Sequence, residues 1–195
     1  MSRSIRVAGL VAVAALLAVA ATALAQAGRP DPAKLLAAQR EAMTKLAMLD
    51  GTWRGEAWIG APDGSRHSLT QTERVGPMLD GAVRVVEGRG YEADGSLSFN
   101  AFAVISFDVA KNAYSMRSHA MGNSGDFPVT ITADGFQWEI AAGPMTIRYT
   151  ATVKDGVWTE TGTRQTPGQE PVEFYGMKLQ RLGDSDWPAG GALKP

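Results

Sequence analysis

Turn signals recur along residues 51–181, and they constrain the fold more than any other feature of the sequence. The signals are Pro62-Asp63-Gly64, Asp80-Gly81, Asp94-Gly95, Lys111-Asn112, Gly122-Asn123, Asp134-Gly135, Gly143-Pro144, Asp155-Gly156 and Pro167-Gly168. Such pairs supply the positive or fixed φ angles that tight chain reversals need. They delimit ten segments of strand length, roughly 52–60, 66–75, 81–91, 96–108, 113–121, 127–133, 135–142, 145–153, 157–164 and 172–181. No helical pattern separates these segments, so the sequence predicts an antiparallel meander.

Several of the ten segments alternate between apolar and polar residues, as half-buried strands do. One such face carries Leu97, Phe99, Ala101, Ala103, Ile105 and Phe107, and another carries Met145, Ile147, Tyr149, Ala151 and Val153. A flat sheet of ten strands would leave two long unpaired edges, and closure removes both. The sequence therefore predicts an all-β fold, a single closed antiparallel up-and-down β-barrel of about ten strands.

A helical pattern precedes the first strand. Asp31 followed by Pro32 is typical of a helix start, with Asp as the N-cap and Pro at the first helical position. The apolar residues that recur at helical spacing are Leu35, Ala38, Ala42, Met43, Leu46 and Leu49. We expect one amphipathic α-helix that ends at Asp50-Gly51 and caps the barrel, with Trp53 packed at the same end. A helix that binds a partner protein is the alternative, because one apolar face suits either role.

The N-terminus has the order of a secretory signal peptide. Arg3 and Arg6 precede the apolar run Val7–Ala21, and small residues at alternate positions follow in Ala23–Ala27. The run is shorter than the roughly 20 residues of a membrane-spanning helix, which is the alternative reading. We therefore predict a signal peptide at 1–27 and a bacterial periplasmic or secreted protein without membrane insertion of the mature chain. A helix-plus-barrel domain at 28–182 and a flexible C-terminal tail at 183–195 complete the predicted organisation.

Charge and cysteine content narrow the possible functions. The predicted leader holds two of the 19 basic residues and none of the 20 acidic ones, so 17 against 20 leaves a mature net charge of −3. A mildly acidic chain lacks the basic surface that nucleic-acid binding needs, so we expect no nucleic-acid partner. The sequence contains no cysteine. This excludes disulfides, thiol chemistry and cysteine-ligated zinc, so the fold depends on burial alone.

The segment Leu49–Glu56, read as LDGTWRGE, resembles the opening L-x-G-x-W-x-G of calycin-type barrels, the lipocalin, fatty-acid-binding and nitrobindin-like group. The order of features is similar to that of the DUF1579 family of uncharacterised bacterial proteins. The further matching parts are Met78–Gly81 before Val83–Gly88, then Tyr91 and Gly95 before Ile105–Asp108 and Asn112–Tyr114. The resemblance spans residues 35–181. It implies a closed antiparallel barrel with an internal cavity and no settled activity.

Haem is the cofactor that this resemblance raises, because nitrobindin-like barrels hold haem through a histidine near the C-terminal end of the barrel. The corresponding stretch here, 172–181, contains no histidine, and the chain has only His67 and His119. His119 is the candidate haem ligand, since it could point inward from the fifth strand. A lone strand histidine does not specify ligation. We therefore expect no cofactor, with haem on His119 as the alternative.

The sequence shows no pattern for a metal site or a nucleophilic triad. The two histidines are far apart and lack His-x-His or His-Glu-x-x-His spacing. The Asp-Gly pairs at 63–64, 94–95, 134–135 and 155–156 lack the run of alternating oxygen ligands that calcium needs, so they indicate turns. Ser and Thr residues are plentiful, but no His–Asp arrangement accompanies them.

Polar residues inside the strands are the remaining candidates. They are Glu56, Gln71, Glu73, Glu87, Arg89, Arg117, Glu139, Arg148 and Glu160. Each points either to water or into the barrel, where a charge must be paired or bind something. We hypothesise that an inward Arg89 or Arg148 holds a ligand carboxylate. Trp58, Trp138 and Tyr149 would then cover the apolar part of that ligand.

These observations favour a binding protein for a small apolar or amphipathic molecule, since barrels of this size commonly enclose one such ligand. The first alternative is an enzyme in which a lumenal Glu and Arg perform acid–base chemistry. A strongly perturbed glutamate deep in a pocket would favour it. The second is an interaction protein that docks a partner through the helix or the barrel rim.

Overall fold

The computed structural model describes residues 30–61 and 63–188. Two helical segments lead into ten antiparallel strands, and β1 pairs with both β2 and β10, so that the sheet closes. This confirms the predicted all-β, ten-strand up-and-down barrel. The predicted signal peptide at 1–27 and residues 189–195 of the predicted tail lie outside the described residues. Within the described part, no helix is long and apolar enough to cross a membrane.

The elements follow one another as a simple meander. The helical segments are α1 (Pro32–Met43) and a 3₁₀ helix (Thr44–Leu49). The strands are β1 (Gly51–Gly60), β2 (Arg66–Met78), β3 (Val83–Tyr91), β4 (Leu97–Asp108), β5 (Ala113–Ala120), β6 (Asn123–Ile131), β7 (Gly135–Ala142), β8 (Met145–Lys154), β9 (Val157–Gln165) and β10 (Val172–Gly183). Because each strand reverses direction, the turns after even-numbered strands lie at the helix end of the barrel. The turns after odd-numbered strands lie at the opposite end.

Strand β6 starts earlier than its predicted boundary at residue 127. Met121 and Gly122 have φ angles of 49° and 81° and form a two-residue turn. Positive φ at both central residues is typical of a type I′ hairpin turn, which lets pairing resume at once. Ala120 accordingly pairs with Asn123. The sequence pattern predicted a longer loop here, between the segments 113–121 and 127–133.

The predicted helix is divided into an α-helix and a 3₁₀ helix. Asp31 is the N-cap, since its Oδ1 accepts a hydrogen bond of 2.9 Å from the Ala33 N–H. The 3₁₀ turn has three residues, so that Met43, Leu46 and Leu49 lie on one face. All three have no exposed surface and belong to the core. The spacing of three explains why the chain leaves the α-helical geometry at Met43.

The helical segment closes one end of the barrel. Residues 36–188 form one compact unit that contains these contacts. The Tyr114 hydroxyl donates a hydrogen bond of 2.7 Å to the carbonyl of Ala42, and Arg84 forms a 2.8 Å ion pair with Asp50. Burial raises the pKa of Asp50, and the Arg84 guanidinium opposes that rise. The contacts confirm that the helical segment caps the barrel.

Trp53 anchors the closed end, as the sequence predicted. Its ring is 1% exposed, and its indole N–H donates a hydrogen bond of 2.8 Å to the carbonyl of Leu49. Trp158 approaches it edge-on with ring centroids 5.8 Å apart, and Phe136 lies 6.3 Å from Trp158. Three aromatic rings therefore fill the barrel next to the helical segment.

The described part of the predicted tail, 183–188, places Trp187 on the outer wall. Its ring lies 6.1 Å from the ring of Phe102, and the Arg74 guanidinium lies 4.3 Å above it. Gly76 leaves room for this contact, because a Cβ there would lie 2.7 Å from the Trp187 Cβ.

Candidate functional site

The barrel encloses a cavity of about 590 Å³ above the aromatic cluster at the closed end. The cavity extends from Leu49 at the helix end to the β5–β6 turn at the other end, where Met121, Asn123 and Ser124 line it. This volume lies within the range of about 300–1,000 Å³ that small-molecule pockets span. The lumen is therefore large enough for one small ligand.

Most of the cavity wall is apolar and aromatic, because inward positions alternate with outward ones along every strand. The aromatic residues on the wall are Phe99, Phe127, Phe136, Trp138, Tyr149, Trp158, Phe174 and Tyr175. The rings of Trp138 and Tyr149 stack with centroids 4.1 Å apart and an interplanar angle of 6°. Tyr175 lies edge-on to Tyr149 at 5.8 Å. These three rings form a continuous aromatic surface on one side of the lumen.

Two carboxyl groups interrupt this apolar wall, Glu73 on β2 and Glu160 on β9. Glu73 shares its strand face with the buried Leu69 and Val75, and Glu160 shares its face with the buried Trp158. The period-two geometry of a strand thus requires both glutamates to point inward. They face the same cavity, and each affects the pKa of Tyr175.

The Glu73 carboxylate lies against the wall formed by β3. Its Oε1 accepts a hydrogen bond of 2.7 Å from the Gln71 side-chain amide. The neighbouring position on β3 is Gly88, where a Cβ would lie 2.7 Å from the same oxygen. The side chain keeps some accessible surface because it faces the cavity. Burial raises the pKa of Glu73 to about 8, and the charges of Glu160 and Glu87 add to the rise.

Glu160 is 9% exposed and lies beside two indole rings. The Trp138 N–H donates a hydrogen bond of 3.3 Å to Oε1 of Glu160. The Trp158 N–H has no well-aligned partner, although it is close enough to lower the pKa of this carboxyl somewhat. Burial is the larger effect and raises the pKa of Glu160 to about 7. Both lumenal carboxyls therefore exchange protons near neutral pH.

The two lumenal phenols stay protonated at neutral pH. Burial raises the pKa of Tyr149 to about 12, and the charge of Glu160 contributes. Burial also raises the pKa of Tyr175 above its ordinary value, with Glu160 and Glu73 contributing. The Tyr175 hydroxyl lies 3.3 Å from the sulfur of Met177, a weak acceptor. Both hydroxyls can therefore donate hydrogen bonds to a molecule in the lumen.

The structure places the five predicted site residues on opposite sides of the wall. Trp138 and Tyr149 line the cavity, as described above. Arg89 and Arg148 lie on the outer surface, each with a side chain that is 46% exposed. Trp58 also lies outside, where its indole covers Gly176. The Arg66 guanidinium carbon lies 3.6 Å from the centroid of its ring. Their strand neighbours occupy the inward positions, so these three side chains do not meet Trp138 and Tyr149.

His119, the candidate haem ligand, is exposed and lies on the outer face of β5. The inward positions of that strand belong to Met116, Ser118 and Ala120, which line the cavity. His67 is paired with Glu92 at 3.0 Å on the surface. Among the described residues, no histidine lines the lumen and no group of three His, Asp or Glu is arranged to hold a metal ion.

The sequence did not distinguish three residues of the cavity wall from the other polar residues of the strands. They are Gln71, Glu73 and Glu160. A usable signal exists in their neighbours. Leu69 and Val75 flank Gln71 and Glu73 at intervals of two, and an apolar face with that spacing is the inward one. The neighbours of Glu160 at the same interval are Trp158 and Gly162, whereas Thr159, Thr161 and Thr163 alternate with them.

Fold and lumen together define a class, the small closed antiparallel barrels with an internal cavity of ligand size. No protein-family model and no curated protein sequence matches the chain. Among solved structures it is similar to Rv2717c from M. tuberculosis, with a TM-score of 0.55 and 12% sequence identity. The match covers 72% of this chain and 97% of that chain. At this identity the similarity shows the shared fold alone.

Proposed function

We propose that this protein is an exported, calycin-like barrel with the DUF1579 order of motifs, and that it binds a small apolar or amphipathic molecule in its lumen. The observation that carries the proposal is the cavity of about 590 Å³ with its mainly apolar and aromatic wall. A wall of this kind gains free energy when it is covered by an apolar ligand, at about 25 cal/mol for each Å² removed from water.

A ligand screen by thermal shift, with tryptophan fluorescence as a second readout, tests the proposal. Fatty acids, sterols, long-chain alcohols and long-chain amines form a suitable first library. A lumenal ligand should raise the melting temperature and change the emission of Trp138 and Trp158, which line the cavity. The absence of any stabilisation across the library would contradict the proposal.

A pair of variants on β4 locates the bound ligand. Ala101 lines the cavity, and an Ala101→Trp change should fill much of the lumen and abolish binding. Asn100 is exposed on the outer face of the same strand, so Asn100→Trp is the matched control and should bind normally. Equal binding by both variants would place the ligand outside the barrel.

An enzyme is the second candidate, because Glu73 and Glu160 have pKa values of about 8 and about 7 inside a cavity. A carboxyl with a pKa near the working pH suits a general acid or base. Each ligand found in the screen should therefore be incubated with the protein and followed by mass spectrometry. Turnover that is lost in Glu160→Gln while binding persists would favour catalysis over storage or transport.

Export is the remaining part of the proposal, and it is carried by the leader-like sequence at 1–27. The full-length chain should be expressed in a bacterial host and recovered from the periplasmic fraction. Its intact mass should correspond to cleavage after Ala25 or Ala27. A cytoplasmic protein that keeps its first 27 residues would contradict export without affecting the proposed lumenal binding.

A further inference from the structure

The formal charges on the lumen wall have a single sign. Of the described residues that line the cavity, the acidic ones are Glu73 and Glu160, and none is Lys, Arg or His. The two tyrosines that share the wall stay neutral, as argued above. The arginines that the sequence offered as carboxylate anchors, Arg89 and Arg148, lie outside the barrel. A ligand that reaches these glutamates therefore meets an acidic site.

The hydrogen bonds of the two carboxyls do not satisfy them fully. Gln71 and Trp138 donate one bond each, in both cases to Oε1. Oε2 of each glutamate has no well-aligned donor among the described residues. The indole N–H of Trp158 also lacks a well-aligned partner, although its residue is only 3% exposed. An ionised carboxylate in such surroundings requires a cation or further donors to offset its loss of water.

The aromatic rings next to the carboxyls suit a cation as well. Trp138 donates to Glu160 and stacks on Tyr149, and Tyr175 meets Tyr149 edge-on. An ammonium group over the face of Trp or Tyr gains about 0.5–2 kcal/mol from the ring quadrupole. Carboxyl groups and aromatic rings thus line the same part of the lumen.

We propose that the lumen selects cationic amphiphiles: a protonated amine lies between Glu73, Glu160 and the aromatic side chains, and an apolar chain or ring system fills the rest of the cavity. This inference rests on the proposed lumenal binding and narrows its ligand class. A molecule with a carboxylate head, such as a fatty acid, would instead place its negative charge beside two acidic groups, with no Lys, Arg or His among the described residues that line the cavity to pair with it. The charge of the lumen therefore discriminates between amphiphiles of the same length.

The protonation of Glu73 and Glu160 agrees with this assignment. Without a cation, burial raises the pKa of both carboxyls, so that a proton neutralises them. The titratable and charged groups that act on this site are Glu87 behind Glu73, the phenols of Tyr149 and Tyr175, and Arg164 near Tyr149. An ammonium ligand would replace the protons, so its binding near pH 7 should release protons to the buffer.

Three probes of one chain length test the inference on the wild-type protein: dodecylamine, dodecanol and dodecanoate, each below its micelle concentration. Calorimetric titration at pH 7.5 should rank them amine, alcohol, carboxylate. We expect the amine to bind about tenfold more tightly than the alcohol, which corresponds to about 1.4 kcal/mol. Titration in two buffers of different ionisation enthalpy should show the proton release for the amine alone.

Variants locate the effect in the lumen. Glu73→Gln and Glu160→Gln should each reduce the affinity for dodecylamine several-fold and leave the affinity for dodecanol unchanged, which also reports that the lumen is intact. Glu56→Gln removes one negative charge from the exposed face of β1 and is the matched control, with no change for any probe. An equal loss of amine affinity in Glu56→Gln would show general surface attraction and overturn the inference.

The outcomes for the wild-type protein separate this inference from the proposed function. If dodecanol or dodecanoate binds at least as tightly as the amine, lumenal binding stands and the cationic selectivity is overturned. If none of the three binds, the cationic selectivity is overturned, and the wider library screen described above decides lumenal binding. The ranking of the three probes decides the inference even if a glutamate variant does not fold.

Discussion

Glutamate side chains have different surroundings on the inner and outer faces of the barrel wall. On the outer face, Glu87 contacts Arg74 at 3.0 Å and Arg89 at 2.6 Å, and Glu139 contacts Arg148 at 2.6 Å. Burial alone would raise the pKa of Glu87, but the hydrogen bonds from Arg89 and Arg74 outweigh it and lower the pKa. The paired guanidinium groups therefore favour the ionised form of Glu87.

On the inner face, Glu73 and Glu160 receive hydrogen bonds from Gln71 and Trp138 and have no cation beside them among the described residues. Burial therefore dominates, and both pKa values rise into the range of neutral pH. The two carboxyls inside the barrel have only neutral hydrogen-bond donors among the described residues, whereas the outer carboxylates pair with arginines. The inner and outer carboxyls therefore differ both in burial and in the presence of a paired cation.

The largest expected effect compares an inner tryptophan with an outer one. Trp53→Ala should lower the free energy of unfolding by about 3–5 kcal/mol, because it removes a fully buried ring and its hydrogen bond to Leu49. Trp58→Ala removes a ring on the outer wall that stacks under Arg66, and it should cost about 1 kcal/mol. Urea denaturation of both variants measures the difference. Similar losses in the free energy of unfolding would show that Trp53 does not anchor the closed end.

The next effect concerns the pH dependence of stability. The folded-state pKa values of Glu73 and Glu160, about 8 and about 7, lie above their ordinary value of 4.5. The folded state thus holds these protons more tightly, so stability is highest below about pH 4.5 with respect to these groups and falls as pH rises through 7 and 8. We expect a loss of about 2–3 kcal/mol between about pH 6.5 and pH 9, since one pKa unit corresponds to about 1.4 kcal/mol.

The double variant Glu73→Gln/Glu160→Gln should flatten this decline in thermal or urea unfolding measured at each pH. Glu139→Gln is the control, because its carboxyl lies on the outer face beside Arg148 and should leave the decline intact. An equal flattening by Glu139→Gln, or stability that rises from pH 6 to pH 9 in the wild-type chain, would show that the lumenal carboxyls are not buried as described.

A smaller effect compares two glycines that each leave room for a side chain on the adjacent strand. A Cβ at Gly88 would lie 2.7 Å from the Glu73 carboxylate inside the lumen, and a Cβ at Gly176 would come closer still to the Trp58 indole outside. Gly88→Ala should cost about 1–2 kcal/mol, because the displaced carboxyl stays enclosed. Gly176→Ala should cost less, since Trp58 can move toward water. Urea unfolding of the two variants gives the difference.

The sequence allowed prediction of the fold almost completely, because turn chemistry and alternation are local properties. Asp80-Gly81 and Asp155-Gly156 occupy turns with positive φ at both residues. The hydrophobic spacing from Met43 to Leu49 and the position of Trp53 also placed the helical segment at one end. The departures are local as well, at the 3₁₀ helix and at the early start of β6.

The site was less predictable, because alternation shows that two faces differ without showing which one is inside. The hypothesis chose the arginines Arg89 and Arg148 as inward charges, whereas register and burial place them outside. The inward charges are Glu73, which shares its strand face with Leu69 and Val75, and Glu160, whose neighbours at an interval of two are Trp158 and Gly162. Trp138 and Tyr149 do line the lumen because they share their strand faces with apolar residues.

The smallest expected effect measures the outer ion pair itself. A double-mutant cycle on Glu139→Gln and Arg148→Gln should give a coupling of about 0.2–1 kcal/mol, because both side chains are at least 40% exposed and solvent screens the pair. The coupling should shrink further in 1 M salt, where charges are screened within about 3 Å. The single variants should not alter the binding of any lumenal ligand. A coupling of several kcal/mol would mean that the outer wall is far less hydrated than the exposure of Glu139 and Arg148 indicates. The inner and outer carboxyls would then differ in whether a cation pairs with them and not in how far they are removed from water.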